Sequence, residues 1–178
     1  MIIGITGPSG SRKTAISKHL AKRHGFARMH AGMPVKKGFR AGFELGPEHT
    51  SGKAKDHPTQ LLGGAITREA MEAVGKALHD AAPKATSAVL QRRLAQLGQG
   101  SDVVVDGVRS PIEAATLRRL GGVMIRADNG TVADPSKPLD LMQSTIKVDY
   151  TVDTSGKKKD RKAAADRMLA DLCTEPAQ

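Results

Sequence analysis

The run GPSGSRKT, residues 7–14, places Gly7, Gly10, Lys13 and Thr14 at a spacing suited to holding a polyphosphate. Chemistry of that kind needs a glycine-bearing turn that opens a helix, so that backbone N–H groups and the helix dipole face phosphate oxygens. A lysine at the helix start can then reach the outer phosphates, and the threonine hydroxyl can ligate Mg2+. The spacing G-x-x-x-x-G-K-[ST] is met except that Arg12 replaces the second glycine. Glycine suits close backbone approach or a positive φ at that position, and arginine brings a planar donor fork. Two outcomes stay open. The loop keeps its shape and gains a charge near the phosphate, or it is distorted and weak.

A second constellation lies in VVVDGVRSPIE, residues 103–113. Asp106 is expected at the C-terminal end of a buried strand, the edge where open α/β sheets bind ligands. There it can hold a metal-bound water, orient a nucleophile, or simply serve as a turn aspartate. Arg109 follows, where it can grip an anion through paired hydrogen bonds or sit in solvent at a helix entrance. Glu113 reads as a capping-box partner of Ser110, with Pro111 at the first helical position. Arg68, on a helix with Met71 and Val74 facing inward, and Arg126, at the end of VMIRA, are each either phosphate contacts or ordinary surface charges. The six histidines (19, 24, 30, 49, 57 and 79) form no close pair on one helix face, and the sequence gives no sign of a zinc site.

Alternating strands and helices must position these groups. Strands are expected at residues 2–6, 26–30, 102–107, 123–127 and 150–154, and helices at 13–23, 34–43, 59–79, 84–98, from 110, and 156–173. Residues 44–58 and 128–138 read as loops, rich in Gly, Pro and polar residues. The strands are apolar runs rather than alternating stripes, which predicts a parallel sheet covered by helices on both faces.

Composition bounds the rest. A chain of 178 residues suggests one domain. Aromatics make up 2% of residues, so the core must be aliphatic. One cysteine, Cys173, excludes an internal disulfide and a multi-cysteine metal site and fits a reducing cytoplasm. Residues 1–7 do not read as a signal peptide, and no stretch nears the roughly 18 apolar residues of a membrane span. A cytoplasmic protein without a membrane partner is expected. The net charge of +10 predicts attraction to polyanions. A base-stacking platform is disfavoured by three Phe and one Tyr.

Taken in order, these segments resemble the bacteriophage deoxynucleoside monophosphate kinases, within the phosphate-loop nucleoside and nucleotide kinases. IIGITGPSGSRKT resembles the opening strand and loop, and HAGMPVKKGF the A-x-P-x-K helix start through Ala31, Pro34 and Lys36. LLGGAITREAMEAVG resembles the T-x-R-x-x-x-Q-x-x-G helix, VVVDGVRSPIE the D-V-R-x-x-x-E segment, and VDYTVDTSG the closing strand. Departures are Arg12, Asp106 standing one place before the expected aspartate, a helix without aromatics over residues 80–98, and no arginine cluster after Arg126.

The resemblance implies a three-layer α/β phosphate-loop kinase fold with a parallel five-stranded sheet, read as one domain over residues 1–178. A mobile acceptor-binding segment would span about 30–98, and a short lid-like loop about 127–145. It implies ATP and Mg2+, and transfer of the γ-phosphoryl group to a deoxynucleoside monophosphate. Gly7, Ser9, Gly10, Ser11, Arg12, Lys13, Thr14 and Ala15 would bind the ATP phosphates. Lys13, Arg12, Arg109 and Asp106 would be catalytic, with Arg12 standing in for the missing lid arginines. Lys36, Arg68 and Arg109 would bind the acceptor, and Arg126 would be a lid candidate. Thr14, and Asp106 through water, would hold the metal. A homodimer is left open. Two alternatives also stand: a kinase for another small acceptor such as dephospho-coenzyme A, and a polyanion-binding module using KKKDRK, residues 157–162.

Overall fold

The computed structural model describes residues 1–98 and 100–174. Five strands form one parallel sheet: β1 (Ile2–Thr6), β2 (Ala27–His30), β3 (Val103–Asp106), β4 (Gly122–Asp128) and β5 (Tyr150–Asp153), in the order β2-β3-β1-β4-β5. The chain leaves β1 towards one edge and returns through β3 towards the other, so the C-terminal ends of β1 and β3 flank the switch point of the sheet. Open α/β folds bind their ligands there. The register pairs Ile5 with Asp106, which sets the loop after β1 beside the loop after β3.

Among the described residues seven α-helices surround the sheet: α1 (Lys13–His24), α2 (Met33–Gly42), α3 (Thr67–Ala81), α4 (Ala85–Gln96), α5 (Pro111–Arg119), α6 (Pro138–Ser144) and α7 (Lys158–Thr174). On one face Ile3, Ile5 and Ile125 pack with Ile16 and Leu20 of α1 and Met168 of α7. On the other, Val103, Val105 and Met124 pack with Leu90 and Leu94 of α4 and Leu117 of α5. The strands are therefore covered on both faces, which is why they read as continuous apolar runs. A third, smaller cluster joins Phe39, Leu45 and Met71 and holds α2 against α3.

Two expectations shift. The helix expected over residues 59–79 begins only at Thr67. Residues 58–66 instead form a compact turn containing a short 3-10 stretch (Gln60–Leu62), capped by Thr59 and closed by an antiparallel bridge between Pro58 and Ile66. The lid-like stretch is not all loop, because α6 occupies its second half.

Candidate active site

The loop after β1 takes the shape that its glycines permit. Gly7 has φ 137°, and a Cβ there would lie 2.5 Å from the Ala127 carbonyl oxygen, so no other residue fits. Arg12 caps α1 in the left-handed region, with φ 63° and ψ 23°. The pattern's glycine belongs at that position for this reason, and arginine adopts the same backbone at a cost of about 1–2 kcal/mol. The loop is pinned from behind. The Thr154 hydroxyl, at the end of β5, donates to the Ser11 carbonyl at 3.0 Å, and the Thr6 hydroxyl donates to the Val108 carbonyl at 3.0 Å.

Lys13 folds back over this loop. Its ammonium donates to the carbonyls of Gly7 at 2.5 Å and Pro8 at 2.6 Å. Burial, reinforced by the nearby Arg109 guanidinium, lowers its pKa to about 8. A bound polyphosphate would supply the missing anion and draw the ammonium outward.

A cavity of about 490 Å3 opens in front of the loop. Ser9, Gly10, Lys13 and Thr14 form one wall, and Lys36, Arg68 and Arg109 stand on others. The three side chains expected to bind the acceptor thus converge on the same space as the loop. Lys36 comes from α2, and burial followed by Arg109 lowers its pKa. Arg68 comes from the first turn of α3. It donates to Asp56, which raises its pKa, and it reaches the Ser9 hydroxyl at 3.1 Å. Arg109 stands where the chain enters α5. Its backbone N–H donates to Glu113 Oε2 at 2.8 Å, and Glu113 completes a capping box with Ser110.

Asp106 is buried at the end of β3. Its Oδ2 accepts from the Ser17 hydroxyl at 2.5 Å and from Arg28 Nη2 at 2.5 Å. Its Oδ1 is buried and, among the described residues, has no hydrogen-bond partner. An orphaned carboxylate oxygen is costly to bury. Together with the Thr14 hydroxyl on the cavity wall it gives a sparse, all-oxygen donor set. That suits Mg2+, which takes one or two protein oxygens and completes its shell with water and phosphate. The donor types of Thr14 and Asp106 suit the ion, while Asp106 itself stands off the cavity wall.

Six expected residues are not on the cavity wall: Gly7, Ser11, Arg12, Ala15, Asp106 and Arg126. The Arg12 side chain is exposed and does not line the cavity. Arg126 donates to the Ile146 carbonyl at 3.1 Å, fastening the chain after α6 to β4, and it does not line the cavity either. Residues not expected from the sequence also line the cavity. Arg28 and His30 alternate along β2, so both face Asp106, and His30 Nε2 lies 3.9 Å from Asp106 Oδ1. The Gly32 N–H donates to His30 Nδ1 at 2.9 Å. Burial, then Lys36, lowers the His30 pKa to about 4, so the ring is neutral. The period-two spacing of R-M-H was the available signal. Asp140 of α6 accepts from the Ser9 N–H at 3.4 Å and, with Gln143, closes the cavity from the lid side.

The model of the AAA domain family matches residues 3–137. The chain belongs to this family. Within the AAA domain family, the loop and sheet are those of a phosphate-loop kinase, an ATP-dependent phosphotransferase. A protein of Acanthamoeba polyphaga mimivirus, provisionally described as a deoxynucleotide monophosphate kinase, is 26% identical over 162 residues, which cover 83% of this chain and 84% of the relative. Among solved structures, a provisionally described kinase from Chloroflexus aurantiacus superposes with a TM-score of 0.55 at 17% identity, covering 98% of this chain and 97% of its own. Shikimate kinase from Aquifex aeolicus does so with a TM-score of 0.50 at 15% identity, covering 97% of this chain and 96% of its own. These likenesses establish the three-layer fold expected from the sequence. No described helix is long and apolar enough to cross a membrane.

Proposed function

We propose that this AAA domain protein transfers the γ-phosphoryl group of ATP to the phosphate of a deoxynucleoside monophosphate, giving the diphosphate. The observation that carries this reading is the meeting of Lys36, Arg68 and Arg109 with the phosphate loop around one cavity. Two phosphate groups that repel each other must be brought into line, and a phosphate acceptor calls for such a second cationic set. The description of the mimivirus relative agrees, and a place in viral or phage DNA-precursor supply follows from the resemblance.

The transition state for phosphoryl transfer is loose, so catalysis is positioning and charge neutralisation. Residues 7–15 cradle the ATP phosphates on backbone N–H groups. Lys13 leaves the Gly7 and Pro8 carbonyls for the transferred group. Thr14 and Asp106 would hold Mg2+, which when bound neutralises phosphate charge. Lys36, Arg68 and Arg109 grip the acceptor phosphate, whose oxygen is already an anion at neutral pH and needs no base. The α2–α3 segment closes over the acceptor.

A hydroxyl acceptor is the second reading, favoured by the unpaired Asp106 Oδ1, which could take the hydroxyl proton. The KKKDRK stretch, whose lysines at 157–159 are exposed around the start of α7, is the surface that a polyanion-binding reading would use.

The test is ADP release with ATP and Mg2+ against a panel of deoxy- and ribonucleoside monophosphates and dephospho-coenzyme A. Turnover only with monophosphates, with KM for the acceptor raised about tenfold or more in Arg109→Ala, is expected. Turnover only with hydroxyl acceptors overturns the reading.

A further inference from the structure

On the helical face opposite the α4–α5 layer, three metal-ligating groups from distant parts of the chain converge. His19 Nε2 lies 2.6 Å from Asp166 Oδ1, and His24 Nε2 lies 2.7 Å from the same oxygen. The two rings meet edge to face, with centroids 5.8 Å apart. One potential ligand atom from each residue falls within a set spanning no more than 4.8 Å. The cluster is separate from the active site, because His19 and His24 stand about 9 and 16 Å beyond Lys13 along the axis of α1.

We propose that His19, His24 and Asp166 form a binding site for a divalent transition-metal ion of the zinc type, which staples α1 to α7. The donor set decides the class. Two imidazoles and one carboxylate suit Zn2+ and its neighbours, whereas Mg2+ and Ca2+ favour all-oxygen sites. A tetrahedral ion with bonds of about 2.0–2.2 Å needs its ligand atoms about 3.3 Å apart. The nitrogens must therefore each withdraw from Asp166 by about half an ångström. The side chains have room for this: Asp166 is 43% exposed and His24 29% exposed, while His19, at 10%, fixes the inner corner. Water takes the fourth position from the solvent side.

Without metal, both rings must present an N–H to the one oxygen. Metal binding places each proton on Nδ1 or releases it, and frees the nitrogen lone pair. No competing cation holds the carboxylate. Among the described residues Asp166 pairs with no lysine or arginine. The spacing of five between His19 and His24 is not a helical-face pair, so the sequence alone shows no site there. The third ligand, 142 residues beyond His24, is what gathers them.

The test uses the full chain, with Co2+ as a spectroscopic probe and Zn2+ as competitor. One equivalent of Co2+ with the intense visible absorption of tetrahedral cobalt, displaced by Zn2+, is expected. His24→Ala and Asp166→Asn should each weaken binding by about tenfold or more, while His30→Gln, which alters the active-site cavity, leaves it unchanged. Zn2+ should also raise the melting temperature by several degrees in the wild type and not in the two variants. His24 ends its helix at the surface and Asn keeps the volume of Asp, so both variants should fold, and far-UV circular dichroism checks this. A faint octahedral spectrum, or an affinity that the two variants do not change in folded protein, overturns the proposal.

Discussion

The two sides of the cavity are built differently. The loop side rests on the sheet between the two large apolar clusters, and Ile3, Ile5, Leu117 and Ile125 are wholly buried. The acceptor side, α2 and α3, rests among the described residues on the small cluster of Phe39, Leu45 and Met71, with half-buried Val35, Leu62 and Ala70 around them. One side is fixed before any ligand arrives, while the other has little apolar surface to hold it shut. That division suits a kinase. On the proposed reading the polyphosphate meets a cradle already in shape, and the element proposed to close over the acceptor comes from the low-stability end of the fold.

The largest effect should come from the fixed side. Lys13→Ala should lower kcat about 10²–10³-fold, the loss typical of removing one donor to the charge that develops in the transition state. The fold should survive, because the ammonium contacts only loop carbonyls and the Ser11 hydroxyl. Steady-state kinetics on protein of native melting temperature checks this. A loss below tenfold would mean that the loop cradle does not carry the chemistry.

Stability should divide along the same line. Phe39→Ala should cost about 3 kcal/mol. The loss should be local, with faster amide exchange across α2 and α3 and unchanged protection in β1, β3 and β4. Ile125→Ala should cost a similar amount, but it should speed exchange everywhere. Hydrogen exchange read by mass spectrometry separates the two. If Phe39→Ala loosens the sheet as well, the acceptor side is not an independent unit.

The fixed side was the more legible one in the sequence. Apolar runs marked β1, β3 and β4, and Ser110, Pro111 and Glu113 announced the start of α5 through local capping chemistry. Lys13 and Thr14 were readable because a phosphate loop is contiguous. On the acceptor and lid side the determinants are tertiary. The apolar residues of 59–66 suggested helix, yet Thr59 and Gly63 made a turn closed by a bridge. α6 was hidden among prolines, although proline at a first helical position was itself a start signal. Arg28, His30 and Asp140 became part of the cavity only through strand register and lid placement, which no local window contains. Asp166 meets His19 and His24 only because α1 and α7 lie side by side.

A titration offers a finer division. The His30 pKa is about 4 in the folded chain against 6.5 unfolded, through burial and then the charges of Lys36, Arg109 and Arg28, which together outweigh the opposing pull of Asp106. The unfolded chain therefore binds more protons between those values, and stability should rise with pH from 4 to 6.5. The full difference is about 3 kcal/mol. Asp56, held at about 2 by Arg68, titrates below this window. His30→Gln should flatten the pH dependence of unfolding between pH 4 and 6.5. If the slope persists, the neutral ring is not what acid attacks first.

The smallest effect concerns Arg12, where the fixed side departs from its own rule. Its left-handed backbone costs about 1–2 kcal/mol for a side chain, and glycine gives back about 0.4–1 kcal/mol through the freer unfolded chain. Arg12→Gly should therefore raise stability by about 1 kcal/mol or less, seen as a melting temperature higher by a few degrees. The side chain is exposed and lies off the cavity wall, so kcat should stay within about twofold. The alternative is that Arg12 swings inward over a bound polyphosphate and replaces the arginines that the lid lacks. A tenfold loss of kcat with the gain in stability intact would establish that role, because it separates what the backbone at this position costs from what the guanidinium does.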